Sequence, residues 1–272
     1  MKKFAVFGNP IAHSVSPTIH QMFAKNCGET ISYEKVLVPL DDFEQALSSF
    51  FSDPMAMGCN VTVPFKQQAF ELASDNSSAA RAAQAVNTLF KDGSGDIHGY
   101  NTDGMGLVRD LIAHGTELKD KRILLIGAGG AARGAIMPLI DESPASIAVF
   151  NRTRSKAQEM VDTLSHDRLA VIDKHNLNDF AADIVINSTS ASLSNTLPDG
   201  VSPQLFTHCE LAYDMAYGKS RTVFMGYAQQ HGARKQLDGL GMLVEQAAAA
   251  FTIWTDKSPD TAPVIQFLRD NV

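Results

Sequence analysis

Apolar residues fall along this chain in short, β-branched runs separated by longer stretches of helical periodicity. That alternation is the pattern of parallel α/β layers. In the first part it predicts strands over Lys3–Phe7, Ser32–Leu37, Gly58–Val63 and Thr88–Lys91. Asp92-Gly93-Ser94-Gly95-Asp96 then reads as a hairpin-type turn before a strand over Ile97–Asn101. Helices are predicted over Ser16–Asn26, Asp42–Ser52, Phe65–Leu72, Ser77–Ala82 and Asp103–His114. A second series starts at Lys121, with strands over Arg122–Ile126, Ile147–Phe150, Leu169–Ile172, Ile184–Ser188 and Leu211–Asp214. Its helices run to about Ile140 and over Ser155–Leu164 and Thr222–Gln230. Leu243, Ala247, Phe251 and Trp254 share one face of a last helix, Leu240–Trp254, expected to return to the first series. The fold class predicted is two-domain α/β. A discontinuous first domain, residues 1–102 plus 239–272, has a mostly parallel sheet, and residues 103–238 form a Rossmann-type dinucleotide-binding domain.

The 272-residue length fits two domains, and a hydrophobic share of 44% is ample for their cores. The net charge of −7 argues against general affinity for nucleic acid or anionic membrane, but leaves room for a locally basic pocket. Cys27, Cys59 and Cys209 are odd in number and scattered, which suits a reduced, cytoplasmic chain. The apolar opening is too short for a secretory signal, and the stretch Ile123–Ile140 is broken by glycines and Arg133. Neither HExxH nor a paired His/Cys spacing occurs, so no protein-bound metal is expected. Oligomeric state is not legible, and a homodimer is left open.

Gly127-Ala128-Gly129-Gly130-Ala131-Ala132 directly follows a predicted strand and opens a predicted helix. Glycines there allow a tight turn and close approach of backbone to a pyrophosphate seated on the helix N-terminus. The context of strand, turn, helix and second strand strengthens an otherwise weak motif. At the end of the second strand, an NAD site carries an acidic residue for the ribose hydroxyls. Here the chain reads Asn151-Arg152-Thr153-Arg154-Ser155-Lys156, with no carboxylate to repel a 2′-phosphate and three cations to bind it. NADP is therefore the expected cofactor.

A second concentration of chemistry lies at Asn60-Val61-Thr62-Val63-Pro64-Phe65-Lys66. Pro64 suits the first turn of a helix, which puts Lys66 where unpaired N–H groups and the helix dipole disfavour another positive charge. A surface lysine gains nothing there, whereas one that trades a proton near neutral pH gains from a lowered pKa. The ordinary reading, a solvated lysine opening a helix by chance, stays open at this point. Ser14 and Ser16 stand before Pro17, where two hydroxyls at a helix start form a carboxylate site, although Ser16 alone reads as a cap. Asn87 suits a turn, Asp103 a helix cap, and Gln246 the exposed face of the last helix.

Together these segments resemble the shikimate dehydrogenase family over essentially the whole chain. The matching pieces are Ser14-Val-Ser16-Pro17, Asn60 to Lys66, Ala85-Val-Asn87-Thr88, Asn101-Thr-Asp103-Gly104, the Gly127 turn, Asn151-Arg-Thr153, Tyr213-Asp-Met215-Ala-Tyr217, and Asp238 to Gln246. The resemblance implies reversible reduction of 3-dehydroshikimate to shikimate with NADPH, in the shikimate pathway of aromatic amino-acid biosynthesis. It implies Lys66 and Asp103 as the catalytic pair, Ser14 and Ser16 on the ring carboxylate, and substrate contacts from Thr62, Asn87, Tyr217 and Gln246. On the cofactor side it adds Thr189, Met215 and Gly239. Three places depart from the family pattern: Gln84 where glycine often precedes Ala-Val-Asn, Lys156 for an arginine, and Ala191-Ser192 where a glycine is usual nearby. The alternatives are a quinate/shikimate dehydrogenase using NAD, a non-catalytic NADP sensor, and a dehydrogenase of folate derivatives.

Overall fold

The computed structural model describes residues 1–271. They divide into two compact units, Met1–Gly106 with Val244–Asp270, and Leu107–Leu243 with Asn271. The chain crosses between them at 106/107, 243/244 and 270/271, each time inside a helix, whereas the sequence pattern puts the boundaries at 102/103 and 238/239, ahead of the first two of those helices. The difference matters for Asp103, which the contacts place in the first unit.

The first unit is built on strands β1 (Lys2–Gly8), β2 (Ile31–Leu37), β3 (Ala56–Val61), β4 (Asp75–Asn76), β5 (Thr88–Lys91) and β6 (Ile97–Tyr100). They form one sheet in the order β2-β1-β3-β5-β6-β4, parallel across β2-β1-β3 and β6-β4 and antiparallel across β3-β5-β6. Central β1 is buried from Phe4 onward, as expected of a strand covered on both faces. Helices α1 (Ser16–Cys27), α2 (Phe43–Phe51), α3 (Lys66–Leu72), α4 (Ser78–Ala83) and α5 (Asp103–Ala113) follow the strands. One core gathers Phe7, Phe43, Phe65 and Leu89, with Phe43 and Phe65 stacked at 4.8 Å. Gln84, in the position where the family often has glycine, sits at φ 51, in the left-handed region that glycine favours.

The second unit carries β7 (Arg122–Ile126), β8 (Ser146–Phe150), β9 (Leu169–Val171), β10 (Ile184–Asn187), β11 (Leu211–Asp214) and β12 (Lys235–Asp238). All pairs are parallel, in the order β12-β11-β10-β7-β8-β9, the doubly wound arrangement of a Rossmann sheet. Its helices are α6 (Gly130–Asp141), α7 (Arg154–Leu164) and α8 (Val223–Gln230). The register aligns Ile126, Phe150, Asn187, Asp214 and Asp238 at the carboxyl ends, where such sheets bind ligands.

The last helices are α9 (Leu240–Thr255) and α10 (Ala262–Asn271). Trp254 of α9 stacks on Phe4 at 4.7 Å, and its indole N–H donates to Leu89 O at 3.0 Å. Burying both the ring and its polar edge anchors this helix to the first unit. Short β4, polar β12, helix α10 and three 3₁₀ turns were not expected from the sequence. Among the described residues no helix is long and apolar enough to cross a membrane.

Candidate active site and cofactor cavity

Lys66 is the first residue of α3, reached from β3 through a turn over residues 62–65. The helix starts later than Pro64 suggests, because Pro64 lies inside that turn. Asp103 is likewise the first residue of its helix, α5. Lys66 Nζ donates to Asp103 Oδ2 at 2.5 Å, and the two side chains are 30% and 15% exposed. The pair is therefore sheltered but open to a small molecule.

Asp103 is not the capping residue that its sequence position suggested. Its own N–H donates to Asn101 Oδ1 at 3.1 Å, which leaves the carboxylate for side chains. Asn87 Nδ2 donates to Asp103 Oδ1 at 2.8 Å and approaches Gln246 Oε1 at 3.3 Å. Asn87 Oδ1 accepts the Thr102 N–H at 2.9 Å. Because a backbone N–H can only donate, this contact fixes which end of the Asn87 amide faces the carboxylate. Lys66, Asn87, Asp103 and Gln246 thus converge, although they are far apart in the chain.

A polar chain that sequence reasoning missed lies behind them. Tyr33 O–H donates to Asn60 Oδ1 at 2.6 Å, and Asn60 Nδ2 donates to Thr88 Oγ1 at 3.1 Å. Thr88 O–H in turn donates to Asn87 Oδ1 at 2.9 Å. The β3–β5 register sets Asn60 opposite Thr88, so this contact follows from strand pairing. Burial keeps the Tyr33 phenol well above its usual pKa, as a neutral donor.

Ser14 O–H donates to Ser16 Oγ at 3.1 Å, and the Ser16 N–H donates to Ser14 Oγ at 3.3 Å. No side-chain capping bond forms at the start of α1, where Val15 holds the cap position. Both hydroxyls therefore remain at a helix N-terminus, the place for a carboxylate. Thr62 stands at the end of β3, its N–H donating to Phe7 O at 2.9 Å. Tyr217 lies in the second unit, just after β11, and is 36% exposed.

In the second unit, Gly127 follows β7 at φ +116, and an added Cβ would meet Ser188 Oγ and, at 3.2 Å, Thr189 Cγ2. Only glycine satisfies both constraints. Added Cβ atoms at Gly129 and Gly130 would face open space, where the backbone can approach a phosphate. A cavity of about 510 Å³ opens there, lined by Gly127, Ala128, Gly129, Asn151, Arg152, Thr153, Lys156 and Thr189. The loop through Ser194, Thr196, Leu197, Pro198 and Asp199 also lines it, and the sequence pattern singles out none of these five residues. These residues fit a dinucleotide with an extra phosphate: a glycine turn for the pyrophosphate, and a guanidinium and an ammonium for the 2′-phosphate.

Arg154, counted with the cations of this loop, is placed elsewhere. As the first residue of α7 it pairs with Asp173 at 2.7 Å and is not in the cavity lining. Gly130 and Ala131 open the first turn of α6 and are not among the residues lining the cavity. Met215 and Gly239 are packed together, since a Cβ at Gly239 would collide with the Met215 backbone. No cluster of His, Cys, Asp and Glu able to hold a metal occurs among the described residues.

Three family models match the chain. They are the shikimate dehydrogenase substrate binding domain over residues 6–89, shikimate/quinate 5-dehydrogenase over 110–202, and the shikimate 5′-dehydrogenase C-terminal domain over 239–269. A protein of Alteromonas mediterranea named shikimate dehydrogenase (NADP(+)) is 53% identical over 272 residues, covering 100% of this chain and 98% of that one. A solved structure described as an Ael1 enzyme from Pseudomonas putida superposes with a TM-score of 0.95 at 41% identity, covering 98% of each chain. Shikimate 5-dehydrogenase of Thermus thermophilus, solved with NADP(H) and shikimate, superposes at 0.89 with 30% identity over 100% of both chains. With that identity spread over its full length and three family models matched along it, this chain belongs to the shikimate dehydrogenase family.

Proposed function

We propose that Lys66 and Asp103 are the catalytic pair of an NADP-dependent shikimate dehydrogenase, which reversibly reduces 3-dehydroshikimate to shikimate. The observation that carries this reading is the 2.5 Å contact between Lys66 Nζ and Asp103, with Asn87 on the other carboxylate oxygen. NADPH, when bound, supplies the hydride. As negative charge grows on the substrate carbonyl oxygen, Lys66 stands ready to give it a proton, and it takes the proton back in the oxidative direction. Asp103 orients the ammonium and accepts a hydrogen bond from a neighbouring substrate hydroxyl. Ser14 and Ser16 hold the ring carboxylate, while Thr62, Asn87, Tyr217 and Gln246 contact the rest of the substrate.

On this reading the first unit binds substrate and the second binds NADP. The glycine turn, Gly127 to Ala131, takes the pyrophosphate. Arg152 and Lys156, with Asn151 and Thr153, take the 2′-phosphate end, and Thr189, Met215 and Gly239 serve the remainder of the cofactor. The scattered cysteines, Cys59 and Cys209 buried, suit a reducing cytoplasm. A homodimer is compatible with this assignment, and sedimentation would decide it. The decisive assay mixes purified protein with shikimate or quinate and NADP or NAD, and follows absorbance of the reduced cofactor. Turnover with shikimate and NADP, with a large preference over NAD, is expected. No turnover with that pair overturns the assignment, and equal use of NAD overturns the role of Arg152 and Lys156.

A further inference from the structure

Asp214 closes β11 and is fully buried. A carboxylate in such a place is tolerated only when donors satisfy it. Its Oδ1 accepts from Asn187 Nδ2 at 3.0 Å and from the Ala216 N–H at 3.1 Å. Its Oδ2 accepts from the Ser192 hydroxyl at 2.6 Å, and Thr222, the cap of α8, is a further partner. The parallel register sets Asn187 directly opposite Asp214, so the first of these bonds is built into the sheet. Asn187 Oδ1, held to face the other way, accepts both the N–H and the O–H of Thr189, at 3.0 and 2.7 Å.

One buried carboxylate therefore grips the loop after β10 at two places, Thr189 through Asn187 and Ser192 directly. That same loop contributes Thr189, Ser190, Ala191, Ser194 and Thr196 to the wall of the 510 Å³ cavity, whereas Ser192 itself is not in the lining. Ser192 also lies where this chain departs from the family, whose glycine nearby has no hydroxyl to donate. We propose that Asp214 is a positioning residue of the cofactor site, holding the Thr189–Thr196 loop through Ser192 and Asn187 in the shape that NADPH requires. The proposal rests on reading the cavity as the NADP site.

The test compares Ser192→Ala and Ser192→Thr with the unaltered enzyme. NADPH affinity is read by fluorescence titration, together with the KM for shikimate, kcat at saturating NADPH, and thermal unfolding. Loss of one hydrogen bond to a buried carboxylate should weaken NADPH binding about tenfold in Ser192→Ala. The KM for shikimate and the saturated kcat should stay within about twofold, and Ser192→Thr should recover most of the affinity. A purely structural role would not give that split or that rescue. A folded Ser192→Ala enzyme that binds NADPH like the parent overturns the proposal and leaves the cavity assignment standing. Equal losses for shikimate and NADPH also overturn it. Failure of the unaltered enzyme to bind NADPH removes the cavity assignment and the proposal together. Asp214→Asn supplies the second reading: a folded variant with unchanged NADPH affinity would count against the carboxylate as the anchor.

Discussion

On the first unit, side chains hold side chains: Lys66 on Asp103, Asp103 on Asn87, Asn87 on Thr88 and Thr88 on Asn60. On the second, the cavity is lined by a glycine turn, by the loop from Thr189 to Asp199, and by Asn151, Arg152, Thr153 and Lys156. The contrast follows the chemistry proposed for each surface. A proton must be moved at one atom, which requires one group at one place, whereas a dinucleotide is gripped along its length by many N–H groups and a few charges. Single substitutions should therefore act sharply on the first unit and in a graded way on the second.

The largest effect expected is that of Lys66→Met, which keeps the length of the side chain and removes its proton. Positioned proton donors are typically worth about 10²–10⁴ in rate, so kcat should fall by that order. The KM for shikimate should change much less, because the group works mainly in the transition state. NADPH affinity, measured separately, should stay within about twofold if the two units divide the work as proposed. An equal loss of NADPH affinity would break the contrast at its strongest point.

Arg152→Ala comes next. A lost charge-assisted contact to the 2′-phosphate should raise the KM for NADP about 10–100-fold. Activity with NAD should not change, because NAD lacks that phosphate. Steady-state kinetics with both cofactors check this, and a matching loss with NAD would mean that Arg152 supports the loop, not the phosphate.

How much of this was visible in the chain depended on range. The strand–turn–helix context of Gly127 is local, and so is the placement of Lys66 at a helix start; both are legible from a few consecutive residues. The Asn60–Thr88 and Asn187–Asp214 contacts arise from strand pairing across 28 and 27 positions, and no local pattern announces them. Strand β12, Lys-Gln-Leu-Asp, is polar and lacks β-branched residues, so sheet context makes it a strand. Helix α10 buries only Val264 and Leu268, too narrow a stripe to stand out. Ser16 and Asp103 each had a capping reading, and in the structure neither serves that role: no side-chain cap bond forms on α1, and Asn101 takes the Asp103 N–H.

The cores of the two units also differ in what they bury. The first holds His20, fully buried between aromatic rings, stacked on Tyr33 at 4.4 Å. Both of its ring nitrogens are buried. Burial lowers its pKa from 6.5 to about 3, against a smaller opposing influence of Asn60. Unfolded, this histidine takes up a proton below 6.5, while the folded chain refuses it until about pH 3. The unfolded state then binds more protons, so His20 costs stability at about 1.4 kcal/mol per pH unit as acidity rises through that window. The second unit buries Asp110 and Asp214, and burial raises both. Their contribution runs the other way, weakening as pH rises from the ordinary carboxyl value through the raised one. Asp183, where hydrogen bonds from Arg122 outweigh burial, is lowered and opposes them. Denaturant unfolding between pH 7 and pH 4 should show the acid-side slope, and His20→Phe should flatten it. An unchanged slope in that variant would assign the acid sensitivity to other groups.

The smallest effect expected is also the one that best tests how side-chain direction limits the cofactor grip. Arg152, Arg154 and Lys156 are close in sequence, and charge alone does not separate them. Helix geometry does, because α7 begins at Arg154 and sends that side chain to Asp173 at 2.7 Å, while Lys156 lines the cavity. Arg154 is exposed, and exposed pairs of this kind contribute little. Arg154→Ala should therefore leave the KM for NADP within about twofold, and Lys156→Ala should raise it several-fold but by less than Arg152→Ala, because an ammonium lacks the guanidinium fork. Parallel kinetics on the three variants give the ordering directly. If Arg154→Ala matched Arg152→Ala, the basic segment would act as a diffuse field, and the second unit would grip the phosphate by net charge rather than by placed groups.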